Sequence, residues 1–230
     1  MSVIEHRLEH YRHRSQYSRS RLARTEEHRV VPEACFFLQE SICLQGEGAQ
    51  AAVTTKGEGA MAFLTEPAER YQASYLEALQ EFQAEGRHLE PSLEEIAADF
   101  ARFVQHLRDL ADRTKLKPGW VPGSDFWLID GSDYIGRLSL RPELNEQLLQ
   151  MGGHIGYEIR PSRRRQGYGK LILQYGLEQA KAFGLERVLL TCDEDNLGSR
   201  KIIESQAGKL ENIIEVERWP VPVCRYWISL

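Results

Sequence analysis

The chain has 230 residues, 42% of them apolar, with 29 lysines and arginines against 34 aspartates and glutamates. That content suits one sizeable core, and the net charge of −5 argues against a general electrostatic attraction to nucleic acid or an anionic membrane. No apolar run approaches the roughly 20 residues needed to span a bilayer, and the N-terminus lacks the basic-then-apolar order of a secretory signal, so a cytoplasmic protein with no membrane partner is expected.

Residues 1–29 carry seven arginines and several histidines without a helical or strand period, and residues 45–60, QGEGAQAAVTTKGEGA, are small and Gly-rich. Residues 1–60 are therefore expected to be a flexible or disordered N-terminal extension, with the folded domain at 61–230. Lys56-Gly57-Glu58 can be encoded by AAAGGAGAA, a purine run resembling a ribosome-binding site a few codons before Met61, which makes Met61 a candidate natural start. His6, His10 and His13 would share a helical face, but no carboxylate or thiol partner accompanies them, and Cys35, Cys43, Cys192 and Cys224 have no paired spacing. No metal is expected, and the cysteines read as free thiols.

From Met61 the pattern becomes regular. AFLTEP is a short strand ended by Pro67, and residues 68–84 place Tyr71, Tyr75, Leu76, Leu79 and Phe82 on one helical stripe before Gly86. A second helix opens with Ser92 and Glu95 as a capping box and carries Ile96, Phe100, Phe103, Val104 and Leu107. The Pro/Gly loop KPGWVPGSD leads to FWLID and YIGRLSL, two runs at hairpin separation. HIGYEI is a strand, RPSRRRQGYGK a turn, LILQYGLEQAKAFG a helix ended by Gly184, and RVLLTC a buried strand, which together have the spacing of a parallel crossover unit. A short helix capped by Asn196 and the strands KLENIIEV and VCRYWISL complete the order βααβββαβαββ, an α/β (α+β) fold with a mixed, mostly antiparallel sheet.

The stretch RRRQGYGK (163–170) lies where a strand gives way to a helix. The first backbone N–H groups of a helix have no acceptor within it, and glycines at 167 and 169 let a ligand approach them. With the positive end of the helix dipole this makes an anion site, most naturally for phosphate, and the arginines add charge. The third glycine of a dinucleotide-binding GxGxxG is absent, since position 172 is Ile172, and there is no Walker sequence.

Arg164-Arg165-Gln166-Gly167-Tyr168-Gly169 resembles the [RQ]-x-x-G-x-[GA] pyrophosphate signature of the GNAT superfamily of N-acetyltransferases. HIGYEIRP is similar to that family's fourth strand, and TCDEDNLGSRKIIESQAGK to its fifth strand and following helix, with Asn196 and Ser199 in the N-x-x-[SA] positions. The resemblance covers about residues 61–230, is strongest from Phe126 to Gly208, and is greatest to a poorly characterised group of bacterial acetyltransferases. It implies a GNAT-like fold and transfer of an acetyl group from acetyl-CoA to a primary amine of a small molecule, peptide or protein. It further implies that the backbone at Tyr157, Glu158 and Ile159 pairs with the pantetheine arm, that Arg164, Arg165, Gln166, Gly167, Tyr168, Gly169 and Lys170 hold the pyrophosphate, and that Asn196 and Ser199 lie beside the arm.

Catalytic groups are less plain. Ribosomal-protein alanine acetyltransferases place a Glu base five residues before the Asn and a Tyr acid seven after it, where this chain has Thr191 and Ile203. His154 and Glu158, on one side of a strand by the period of two, are the remaining base candidates, with Tyr157, Tyr168 and Cys192 as proton donors. His154 has the alternative of a backbone hydrogen bond, Glu158 of an arginine partner, and Cys192 of a core position. Trp120, Glu143, Asn145 and Glu146 suggest a polar, cationic acceptor. The alternatives to a transferase are a non-catalytic acyl-CoA-binding module and a nucleic-acid binder using its arginines. A homodimer through the C-terminal strands is a further expectation.

Overall fold

The structure, a computed structural model, describes residues 62–230; the expectations for residues 1–60, including the His6, His10 and His13 face, lie outside the described residues. Strand β1 is Phe63–Thr65. The stripe expected at 68–84 becomes a 3-10 turn at Glu69–Tyr71 and helix α1, Gln72–Ala84, which buries Ala78, Leu79 and Phe82. The next helix is two: α2, Leu93–Ala98, and α3, Phe100–Asp109. Ser92 and Glu95 form the expected capping box. The break falls at Asp99, whose φ of −144° and ψ of 69° are not helical and whose carboxylate accepts the Arg102 N–H at 3.0 Å. An aspartate caps a helix better than it continues one, and here that preference interrupts an apolar stripe of uniform period.

Strands β2 (Ser124–Asp130) and β3 (Asp133–Leu140) form the hairpin, followed by a short helix α4 (Glu146–Gln150) with Asn145 as its cap. Then come β4 (Ile155–Ile159), α5 (Tyr168–Ala182), β5 (Arg187–Asp193), α6 (Leu197–Ser205), β6 (Lys209–Ile214) and β7 (Val223–Ser229). The α/β class and the element order are as expected, apart from the split helix and the added α4.

The strands form two sheets, ordered β1-β2-β3-β4 and β5-β7-β6, and every ladder within them is antiparallel. The strand–helix–strand unit β4–α5–β5 is present, yet no ladder joins its two strands. They meet at one bridge, Gly153 to Leu190, reinforced by the His154 N–H to Leu189 carbonyl bond of 2.7 Å. A Cβ on Gly153 would stand 2.3 Å from the Leu189 carbonyl oxygen, and its φ is +67°, so glycine is required for this approach. Beyond the bridge, no ladder among the described residues pairs the β4 edge facing the second sheet.

Two apolar layers flank the first sheet. Leu128, Leu138, Leu140, Ile155 and Ile159 pack with Ile172, Leu173 and Ala180 of α5 and with Val188, Leu190 and Tyr226 of the second sheet. On the opposite face Trp127, Ile129 and Tyr134 pack under α1–α3. Trp127 is completely buried and stacks on Tyr75 at 4.9 Å. Residue by residue, β4 therefore alternates: Ile155, Tyr157 and Ile159 face α5, while Glu158 faces α1.

Candidate active site

The 164–170 turn presents several backbone N–H groups that no acceptor among the described residues takes. Arg165 and Gly167 have φ of +64° and +92°, and helix α5 begins at Tyr168. No acceptor among the described residues takes the N–H groups of Arg165, Gly167, Tyr168 or Gly169. The Lys170 N–H is already used, bonding the Gly167 carbonyl at 3.0 Å, so the set of donors is narrower than the expected 165–170. Successive donors on a turn that alternates in handedness form a concave nest for anions, and α5 is long enough to add its dipole. The two glycines have different reasons. Nothing lies within 4 Å of a Cβ built on Gly167, whose demand is its positive φ; a Cβ on Gly169 would meet Ile202 of α6 at 2.7 Å.

The arginines are mostly committed elsewhere. Arg164 forms a two-pronged pair with Glu85 at the end of α1, at 2.7 and 2.8 Å, and its Nε donates to the Ile159 carbonyl. Arg163 pairs with Asp133, and the buried Arg160 with Glu81 at 2.6 Å. Gln166 donates to the Ser162 carbonyl at 3.0 Å. Arg165 and Lys170 are exposed, and no protein partner among the described residues holds either side chain. The basic run thus ties the turn to α1 and β3 and leaves two cations toward solvent.

Along β4, the Tyr157 hydroxyl lies 3.1 Å from the Ser199 hydroxyl, linking β4 to the first turn of α6 across the gap between the sheets. Burial pushes the Tyr157 phenol up to about 12, against the lowering effect of the Ser199 bond, so it remains protonated at neutral pH. Asn196 caps α6, accepting the Ser199 N–H at 3.0 Å. Tyr168 donates to Asp130, which raises its pKa, and burial raises the Cys192 thiol to about 12. Of the three expected proton donors, Tyr168 is committed to a carboxylate, whereas Tyr157 contacts only the Ser199 hydroxyl and Cys192 is a partly buried free thiol.

His154 and Glu158 are not brought together. The His154 ring is buried, and its Nδ1 accepts the Leu189 N–H at 2.9 Å. Burial, then Arg141 and Arg187, lower it to about 4, so at neutral pH its other nitrogen carries the proton and no lone pair is free to act as base. The backbone-bonding alternative is the one realised. Glu158 opposes desolvation with His88, Arg87 and Arg137, and its carboxyl sits far below the usual range. A carboxylate so stabilised is a weak proton acceptor. Thr191 accepts the Gly152 N–H at 2.8 Å and Ile203 is fully buried, so neither does proton chemistry. Glu143 pairs with Arg113, and Asn145 donates to the Gly119 carbonyl at 3.0 Å, so these suggested acceptor contacts serve their own loops.

Arg87 and His88 were not signalled by the sequence. They lie between α1 and α2, where Gly86 turns the chain, and both reach one Glu158 oxygen, Arg87 at 2.6 Å and His88 Nε2 at 2.9 Å. With Tyr75, Tyr134, Arg137 and Glu158, His88 lines a small cavity against β4. An RH pair in a loop carries no motif, and only tertiary contact reveals it.

A sequence model described as "Acetyltransferase (GNAT) family" matches residues 76–208, more than half of the chain and spanning both β4 and the cradle. The chain belongs to the GNAT acetyltransferase family. Its members are transferases of acyl groups, and this GNAT chain is accordingly an acyltransferase. No significant match is found among curated protein sequences. Solved structures share the fold. Mycobacterium smegmatis RimJ in complex with CoA-disulfide superposes with a TM-score of 0.55 at 19% identity over 73% of this chain and 81% of that one. RimL, a ribosomal alpha-N-protein acetyltransferase in apo form, gives 0.56 at 17% identity over 83% and 100%. The microcin C7 self-immunity acetyltransferase MccE, in complex with acetyl-CoA and AMP, gives 0.50 at 14% identity over 76% and 94%. These GNAT structures include ribosomal-protein and small-molecule acetyltransferases, and at such identities they speak for the fold alone. No helix among the described residues is long and apolar enough to cross a membrane.

Proposed function

We propose that the protein is an acetyl-CoA-dependent N-acetyltransferase that transfers the acetyl group to a primary amine by direct attack on the thioester. The observation that carries this reading is the nest of free N–H groups at Arg165, Gly167, Tyr168 and Gly169, next to a β4 edge with no ladder partner. The nest suits a pyrophosphate, with Arg165 and Lys170 as its free cations, and the edge of β4 along Tyr157, Glu158 and Ile159, where the Ile159 carbonyl already accepts Arg164 Nε, suits the amide-bearing pantetheine arm, which would pair with it as another strand does. The arm would pass Asn196 and Ser199, and the Tyr157 hydroxyl would stand near the departing sulfur. The protein's contribution is then orientation, backbone donors for the developing oxyanion and a route for protons.

The test is calorimetric titration with acetyl-CoA, followed by thiol release with polyamines, aminoglycosides and peptides bearing free N-termini. Micromolar binding and turnover of at least one amine are expected. Tight binding without turnover across that panel favours a non-catalytic acyl-CoA-binding module, and absence of binding rejects the site. The nucleic-acid alternative, which drew on the Arg-rich N-terminal residues and on Arg163, Arg164 and Arg165, keeps only Arg165 of that run, because Arg163 and Arg164 are paired with carboxylates; the N-terminal residues lie outside the described ones.

A further inference from the structure

Resting on the transferase reading, we propose that His88 is the group that accepts the proton of the incoming amine, and that Glu158 and Arg87 are positioning residues that hold its ring in the required tautomer. The geometry begins with Glu158. Its carboxylate is ionised and can only accept hydrogen bonds, so the 2.9 Å contact with His88 requires the proton on Nε2. In the neutral ring the lone pair then lies on Nδ1, for which there is no partner among the described residues. Arg87 donates to the same Glu158 oxygen and fixes the carboxylate. The ring is held at its other side by Phe82, edge-on at 5.1 Å, and the His88 carbonyl accepts the Gln83 side chain at 3.0 Å. His88 itself has a φ of +50°, a left-handed conformation that a β-carbon disfavours and that the surrounding contacts maintain.

Position supports the role. Glu158 leaves β4 on the face opposite α5, so His88 stands one side chain away from the strand that would carry the thioester arm. The α5 face of β4 is filled by Ile155, Ile159 and the Tyr157–Ser199 contact, which leaves the α1 side for the amine. The His88 side chain is 35% exposed and thus open to solvent, whereas the completing groups of the cavity are enclosed. The charged and titratable groups facing it are Glu158 from β4, Arg137 and Tyr134 from β3, Tyr75 from α1 and Arg87 beside it. Burial keeps both tyrosines neutral, so Glu158 is the anion that orients the imidazole.

The proton balance closes. An alkyl ammonium gives its first proton to Nδ1, which passes it to solvent; the neutral nitrogen attacks the carbonyl carbon, the C–N bond forms and the C–S bond breaks. The second proton, shed by nitrogen after attack, ends on the departing thiolate.

The test uses the full chain, acetyl-CoA, and whichever of spermidine and Ala-, Ser- or Met-initiated peptides it turns over. His88→Gln is expected to lower kcat by roughly 100-fold or more, to leave the KM for acetyl-CoA within about twofold, and to move the acid limb of the pH–kcat/KM profile up to the range in which the free amine itself deprotonates. The deficit should narrow at high pH, where the amine is already neutral, a recovery that a merely structural defect would not give. Ring nitrogen NMR should show Nε2 protonated and Nδ1 unprotonated, with that preference lost in Glu158→Gln. Unchanged kcat and pH profile in His88→Gln, or the opposite tautomer, overturns the assignment of His88. A wild-type chain that binds acetyl-CoA but acetylates none of these amines overturns the transferase reading, and the inference with it.

Discussion

The two sides of the turn that follows β4 are built on opposite terms. On the cradle side, four N–H groups, Arg165 and Lys170 have no protein partner among the described residues. On the α1 side, Glu81, Glu85, Glu158 and Asp133 are matched with Arg160, Arg164, Arg87 and Arg163. Unsatisfied groups are tolerable where water or a ligand can complete them, while buried charges need partners within the fold. The arrangement separates a set of open donors from the framework that shapes them, although Arg163 and Arg164 of that framework share one run of eight residues with the open donors.

The largest expected break in that separation is Gly167→Asp. It imposes a β-carbon at a φ of +92° and a negative charge beside the free donors, and should weaken acetyl-CoA binding by roughly 100-fold or more by calorimetry. The fold should survive, because nothing crowds that position. On the framework side, Glu81→Ala leaves the buried Arg160 without its main partner. Glu81 is itself partly exposed, so a loss of about 1–3 kcal/mol in chemical denaturation is expected, with acetyl-CoA affinity of the folded protein little changed. If the two variants fail in the same assay, the division between surface and framework is wrong.

His154 gives a pH signature. Its folded pKa is depressed to about 4, so the fold gains nothing from protonation while the unfolded chain binds a proton below its ordinary histidine range of about 6.5. Stability is therefore full above that range and falls as pH drops from about 6.5 toward 4. The depressed carboxyl of Glu158 adds a second loss at lower pH, since it must eventually be protonated. His154→Asn, which keeps an acceptor for the Leu189 N–H, should flatten the first slope in unfolding titrations between pH 7 and 4.5. The smallest effect sharpens the arginine assignment. Arg165→Ala should weaken acetyl-CoA binding about 3–10-fold and reduce its salt dependence, whereas Arg164→Ala, at a half-exposed pair with Glu85, should cost under about 1 kcal/mol of stability.

Much of the fold was legible because it rests on local rules. The capping box at Ser92, the cap at Asn196, the hairpin turn after Asp130 and the strand–turn–helix around Gly167 are written in adjacent residues. The break at Asp99 was hidden by an apolar period that continues across it, and α4 is too short to show a period. In the candidate site, the cradle could be read from two glycines at a strand–helix junction. The chemistry along β4 could not: His154 and Glu158 share a sequence spacing, but one is consumed by Leu189 across the sheet junction and the other by a loop some 70 positions earlier in the chain.

The sequence alone determined most of the order of elements, the family and the strand–turn–helix with open amides at its helix start, since each depends on short-range periodicity and backbone freedom at glycine. The tertiary structure decided which arginines remain available, why Gly169 must be small and which side chain keeps a free lone pair. Those outcomes depend on what long-range packing sets opposite each group, and no spacing within the chain records it.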